Sequence, residues 1–304
     1  RNIYIEQINA DLSTDRIYYI STYCDTLVSI RDIELISDSK IVVLEDVKID
    51  GLEKGRATIR VIDLLSNERL SFLSEERTVS YPFDIKVDNQ NRKISLYYFG
   101  NSPENRVSLS RILDIDYTMD SISYFIPDQS VDLYTTTETL SDSTYILSGK
   151  AHLVSIPVYD AISVHKMTLE HDTVKGVYLY PQSPLDTILY PFLRQNVSIS
   201  MNRKIAIGGI YNLDECSGFY QDTPCWVQLT LFDENLEMIT QRYFGDGVKA
   251  YYGWDITSTN DGGFVMCGQI FNTQSTANKF DFFVLKVNSE GLITGNNEID
   301  PPQM

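Results

Sequence analysis

A turn followed by a short apolar strand recurs five times in this chain, as "SDSKIVVLE", "NQNRKISLYYFG", "SDSTYILSGK", "MNRKIAIGG" and "NDGGFVMCG", and that recurrence constrains the fold most strongly. Taking the residue before each apolar run as anchor, Lys40, Lys93, Thr144, Lys204 and Gly263 stand 53, 51, 60 and 59 residues apart. Repeats of this length, strand-like between their anchors, predict an all-β, β-propeller-like array in which each repeat is one small antiparallel sheet. The segment Ile3 to Ile20 matches only the third and fourth strands of a repeat. Five full units plus this N-terminal half unit predict about six blades, with five or seven as alternatives. In such an array Ile41, Ile94, Ile146, Ile205 and Val265 are expected at equivalent places.

The last unit shows the expected strand order most plainly. "GWDITST" reads as strand one and "GFVMCGQIF" as strand two, joined by Asp261-Gly262-Gly263, residues that tolerate the positive φ of a tight hairpin. "DFFVLKVN" is strand three, and a short fourth strand is expected after "SEG". Third strands end in an acid or amide at Asn9, Asp63, Asp114, Asp233 and Asn288, residues suited to reversing the chain through Asx turns. Tyr-Pro-Phe occurs at Tyr81 and again at Tyr190, two repeats apart, and is expected where one blade crosses to the next.

The repeat runs without a composition break, so residues 1–293 read as one domain and 294–304, polar with Pro301 and Pro302, as a linker toward a missing C-terminal domain. The chain opens on Arg1 without initiator methionine or signal segment, as expected of a processed product. With 25 basic and 42 acidic side chains the net charge is −17, which makes nucleic acid a poor partner. No stretch approaches the roughly 18 apolar residues of a spanning helix, so direct membrane insertion is not expected. Cys216 and Cys225 flank a loop rich in Gly, Pro and Asp and are read as a disulfide, with two free thiols as the alternative. Cys24 and Cys267 read as buried thiols.

The last unit, "YFGDGVKAYYGWDITSTNDGGFVMCGQIFN" followed by "DFFVLKVNSEGLI", resembles the repeats of secreted bacterial β-propeller-like proteins exported by the type IX secretion route. The resemblance is close over Tyr243 to Ile293 and holds at the level of pattern over the other four units. It implies export, a binding or scaffolding role, and a Pro-containing junction at Gly295 to Pro302 leading to a small sorting domain that is absent here. It implies no particular ligand.

Eight residues before most anchors stands a polar residue: Asp32, Thr136, Asn196 and Asp255, with Asp84 one place out of register. If strand one is innermost, these five side chains form a polar ring near one channel end, where carboxylates could take calcium or orient a ligand. The competing reading is that each caps its own turn or bonds a neighbouring blade. No other cofactor is expected. His152, His165 and His171 fall in one unit without zinc-ligand spacing, and Trp226, Trp254, Tyr251 and Tyr252 could stack on sugars or fill the core. There is no nucleophile elbow, phosphate-binding glycine loop or Cys-x-x-Cys pair. These features favour a secreted or outer-surface, non-catalytic binding or scaffold module for a protein or glycan, with the loop Leu213 to Pro224 as first contact surface. A carbohydrate-active hydrolase or lyase and a purely structural spacer are the alternatives, and a clustered acid pair of raised pKa would favour the hydrolase.

Overall fold

The computed structural model describes residues 2–8, 14–21, 27–37, 39–48, 56–64, 69–73, 79–88, 93–101, 106–114, 133–153, 159–169, 172–180, 189–213, 223–272 and 279–294. The chain falls into two compact units, Arg1–Tyr124 and Phe125–Met304. Both are all-β and antiparallel, with no helix among the described residues. The linker expected over 294–304 lies, beyond Thr294, outside those residues, as do Cys24, Cys216, His171 and Asn9.

In the first unit β1 (Asn2–Ile8) and β2 (Thr14–Ser21) form a hairpin. A four-stranded sheet follows from β3 (Leu27–Ser37), β4 (Lys40–Lys48), β5 (Arg56–Asp63) and β6 (Arg69–Leu73). A three-stranded sheet follows that, from β7 (Val79–Asp88), β8 (Lys93–Asn101) and β9 (Arg106–Asp114).

The second unit opens with a four-stranded sheet of β10 (Leu133–Ser141), β11 (Thr144–Leu153), β12 (Tyr159–Thr168) and β13 (Thr173–Leu179). Next, β14 (Leu189–Pro191) and β15 (Val197–Ile199) both pair with β16 (Ile205–Tyr211), which continues to β17 (Trp226–Phe232) and β18 (Met238–Phe244). The last sheet is β19 (Ala250–Ser258), β20 (Phe264–Phe271) and β21 (Phe280–Val287). Of the fourth strand expected there, the described residues contain a single bridge between Val287 and Ile293.

Every sheet after the first hairpin is wound in chain order, and five of them share one register. The residue four places after each anchor, namely Leu44, Tyr97, Ser148 and Cys267, lies opposite Asp32, Asp84, Thr136 and Asp255. In the broken first strand, Gly208 likewise donates its N–H to the Asn196 carbonyl at 2.8 Å. The same register corrects two of the expected equivalents. Ile41, Ile94 and Ile205 face first-strand residues three places beyond the polar position, but so do Tyr145 and Phe264, not Ile146 and Val265. An aromatic opens the apolar run in those two units, and counting from the aliphatic slips by one residue, which in a strand exchanges faces.

Side chains two and four places beyond an anchor define a forward face of each sheet, and those one and three places beyond it a rear face. Val42 and Leu44 of β4 pack with Ile94 and Leu96 of the following sheet. In the second unit Ile146 packs with Ile205 and Ile207, and Ala206 with Phe264 and Met266. Forward face therefore meets rear face at each of these three seams, the packing expected of propeller blades, and each fully buried aliphatic contributes about 1.5–3 kcal/mol. Asx turns form where the third strands end: Asp233 Oδ1 accepts from Asn235 and Glu237 N–H at 2.9 and 2.8 Å, and Asn288 Oδ1 from Glu290 and Leu292 at 2.9 and 3.0 Å. At the hairpin before β16, Arg203 adopts φ 60, the place that Gly262 (φ 79) fills before β20. Tyr-Pro-Phe does not mark a crossing between blades. Pro82 and Pro191 lie within first strands, each opposite the residue five places beyond its anchor.

Candidate functional site

The polar positions Asp32, Asp84, Thr136, Asn196 and Asp255 share a local cause as well as a register. Each first strand is interrupted immediately before them: between Ile30 and Asp32, Pro82 and Asp84, Leu133 and Thr136, Gly253 and Asp255, and across the gap between β14 and β15 that ends at Asn196. A bulge adds unpaired residues to one strand, bends it and re-aims the next side chain, so the polar group after it points along the seam between sheets.

In the first unit the structure brings Asp32 and Asp84 together. Asp32 Oδ2 and Asp84 Oδ1 both accept from the Ile85 N–H, each at 3.0 Å, and Asp32 Oδ1 accepts from Ile33 N–H at 2.8 Å. Asp84 is 1% exposed. Burial, then the charge of Asp84 and a hydrogen bond with it, push the Asp32 carboxyl up to about 8, while Lys86 and the Ile85 N–H pull the other way. Lys86 Nζ stands 4.0 Å from Asp84 and 3.0 Å from Glu34. Two carboxyls this close cannot both ionise cheaply, so one proton is held between them.

In the second unit a neutral pair occupies the corresponding seam. Thr136 Oγ1 donates to Asn196 Oδ1 at 2.6 Å and accepts from Asn196 N–H at 3.2 Å, both residues being buried. The next seam is bonded by backbone: Arg194 and Gln195 N–H donate to the Trp254 carbonyl at 2.9 and 3.2 Å. Asp255 lies opposite Cys267, whose thiol is pushed up by burial and then by the Asp255 charge. Four of the five residues thus bond between neighbouring sheets, a role that the spacing left open beside the ring. Among the described residues, no group of three or more His, Cys, Asp and Glu is placed to hold a metal ion.

The other candidates separate in the same way. His165 is buried with its ring edge-on to Tyr178 at 5.8 Å. Tyr252 is core, Trp226 stacks near Tyr211, and Trp254, the inserted residue of its bulge, is exposed. Cys225 is a buried free thiol that donates to the Tyr251 carbonyl at 3.4 Å, and burial pushes it up to about 12. Most of the loop Leu213 to Pro224, with Cys216, lies outside the described residues.

A pH dependence follows from the Asp32–Asp84 contact. The folded chain keeps on Asp32 a proton that the unfolded chain releases near 3.8. Its stabilising contribution is complete below that value and is lost as the pH rises through about 8. The unfolding free energy of the Arg1–Tyr124 unit is expected to fall across this window by several kcal/mol at most, at about 1.4 kcal/mol per pKa unit. Asp32→Asn, which keeps the hydrogen-bonding shape without the charge, should flatten the profile; an unchanged slope in that variant would rule out the shared proton.

No family profile and no curated protein sequence matches the chain. Among solved structures it is similar to hydrazine synthase from Kuenenia stuttgartiensis, with TM-score 0.53 and 13% identity over 85% of this chain and 62% of that one. A protein of unknown function from Dyadobacter fermentans gives TM-score 0.53 and 8% identity, covering 88% of this chain and 79% of that one. The Dos1 propeller gives TM-score 0.47 and 12% identity over 91% and 63%. The chain thus spans less than two thirds of hydrazine synthase and of the Dos1 propeller.

Proposed function

We propose that this protein is a non-catalytic binding or scaffold module, exported by a bacterium and held at or beyond the outer cell surface, with a protein or a glycan as partner. The observation carrying this reading is that Asp32, Asp84, Thr136 and Asn196 bond between neighbouring sheets. Polar groups used in that way make a stiff platform and leave recognition to the loops that connect the strands. The resemblance of Tyr243 to Ile293 to type IX repeats supports export, and with it a sorting domain beyond the Gly295 to Pro302 linker; the free Cys225 thiol does not form the bridge to Cys216 that the sequence suggested. The test is a glycan panel read by binding and by mass, with and without calcium. Saturable binding that leaves the glycan intact is expected, and release of shorter sugars would overturn the reading.

A hydrolase is favoured by one specific observation, the Asp32–Asp84 pair with its retained proton. Against it stands the geometry. The two carboxyls are hydrogen-bonded to each other, whereas glycoside cleavage needs them roughly 5 Å or more apart to flank the bond. Turnover of chromogenic glycosides that disappears in Asp32→Asn would decide for the enzyme.

A further inference from the structure

Trp254 stands where the fold has no need of an aromatic. It is the residue added at the bulge of β19, between Gly253 and Asp255, and it is 37% exposed. A bulge needs an extra residue but not a tryptophan, and the insertion in β3 is Arg31. The chain has two tryptophans, and the other, Trp226, is half-buried near Tyr211 with its indole nitrogen enclosed. Leaving the Trp254 ring in water forgoes burial of the largest side chain type, so its place in a strand points to a role outside the core.

The neighbours of this indole are polar, and their backbone is fixed. The insert Phe192 to Gln195 of the adjacent sheet runs beside β19: Leu193 N–H donates to the Gly253 carbonyl at 3.4 Å, and Arg194 and Gln195 N–H donate to the Trp254 carbonyl at 2.9 and 3.2 Å. Phe192 anchors one end of the insert in the core, and at the other end Gln195 Nε2 donates to the Val197 carbonyl at 2.7 Å. Arg194 and Thr257 are exposed, and Gln195 and Asp255 are half-buried. A guanidinium and a carboxylate each offer more hydrogen-bonding sites than one protein partner fills. An indole, a donor fork and an acid are thus displayed together on backbone whose conformation is set before any ligand arrives, which keeps the ordering cost of binding low. All of these residues lie within the Phe125–Met304 unit.

We propose that Trp254, with Arg194 and Asp255, is a binding platform for a neutral glycan, a chain of uncharged pyranose units. The proposal rests on the reading of this protein as a binding module and adds a contact at the first-strand bulge to those of the outer loops. The chemistry selects the ligand class. The C–H face of a pyranose is an apolar plate that matches the indole, and the hydroxyls at its rim both donate and accept, as a guanidinium and a carboxylate around one ring require. A polyanionic chain is disfavoured by the net charge of −17. An apolar peptide or acyl chain needs a continuous apolar patch, whereas this ring stands among Arg194, Gln195, Asp255 and Thr257.

The test is calorimetric titration of the 304-residue chain with cellohexaose, xylohexaose, mannohexaose and maltohexaose, and with hexagalacturonate as the acidic comparison. Saturable binding of at least one neutral hexaose is expected, weakened on the order of tenfold or more by Trp254→Ala and held within about threefold of the parent by Trp254→Tyr, which keeps a stacking ring. Arg194→Ala should weaken it several-fold, and Met201→Ala, at an exposed turn, should leave it unchanged. Oxidation by N-bromosuccinimide, mapped to peptides, reads the same site in the unaltered chain: the bound hexaose should protect Trp254. Hexaose binding that survives Trp254→Ala and leaves Trp254 open to oxidation would overturn this site while keeping the binding-module reading. Binding of none of the neutral hexaoses, or preference for hexagalacturonate, would overturn the proposal and leave that reading to the wider glycan panel and to protein partners. Shortening of a hexaose during the titration would overturn the module reading itself.

Discussion

Replacing Arg60 with Met is expected to lower the stability of the Arg1–Tyr124 unit by about 3–5 kcal/mol, enough to unfold many domains of this size. Arg60 on β5 pairs across the ladder with Val43 and reaches Glu45 on β4, its Nε 2.8 Å from Oε2, with both side chains almost wholly buried. Burial pushes the Glu45 carboxyl up, and the Arg60 charge and hydrogen bond hold it down. Without the guanidinium, a carboxylate would remain in an apolar sheet with nothing to balance it. The companion experiment separates the pair's worth from the cost of orphaning one member. Glu45→Leu combined with Arg60→Met should recover much of the loss, because two apolar groups leave no buried charge. A double variant as unstable as Arg60→Met alone, measured by urea denaturation, would show that the pair itself holds the sheet.

Phe192→Ala is expected to cost the second unit about 3–5 kcal/mol. The ring is fully buried in the core shared by the β14–β18 and β19–β21 sheets. It enters there because two glycines make room: a Cβ on Gly208 would collide with the ring, and one on Gly253 would sit deeper still within it. Phe192 is the first residue after Pro191, so the break between β14 and β15 frees the ring from strand alternation and turns it into the seam. Gly253→Ala attacks the same contact from the other side. Its methyl has nowhere to go, since the neighbour is an enclosed aromatic and not the end of a flexible chain, and a loss at or above the usual 1–3 kcal/mol of overpacking is expected. Thermal melts in which either variant matched the parent would remove Phe192 from the account of the seam.

The sheets were readable in the sequence because turn chemistry and apolar runs are local. Asp261-Gly262-Gly263 and the Asx residues Asp233 and Asn288 announce their turns by type, and the structure forms them. The register of the aromatic-led runs was harder. Tyr145 and Phe264 hold the places that Ile146 and Val265 were expected to hold, since large rings and aliphatics are interchangeable to a hydrophobic count but not to a pleat. The polar residue before each anchor was visible as spacing. Its partner was not, because Asp32 meets Asp84, and Thr136 meets Asn196, only once two sheets are stacked. The bulges were invisible for the same reason, since an extra residue is extra only relative to a partner strand. The one-place offset of Asp84 is no signal of them, since Asp84 still lies opposite the residue four places beyond its anchor and the extra residue falls between Val87 and Ile94, on the turn side of Asp84 and away from the bulge.

The repeated bulge also bears on how much variation this architecture absorbs. One residue is inserted at Arg31, Phe83 and Trp254, whereas four, Phe192 to Gln195, are inserted before Asn196, and the pairing on both sides of each insertion is kept. The first strands thus contain a built-in slack point, at which length can change without shifting the pairing on either side. A short peptide grafted there should be displayed beside the seam on an undisturbed scaffold, making this a more rigid site for engineered recognition than the outer loops.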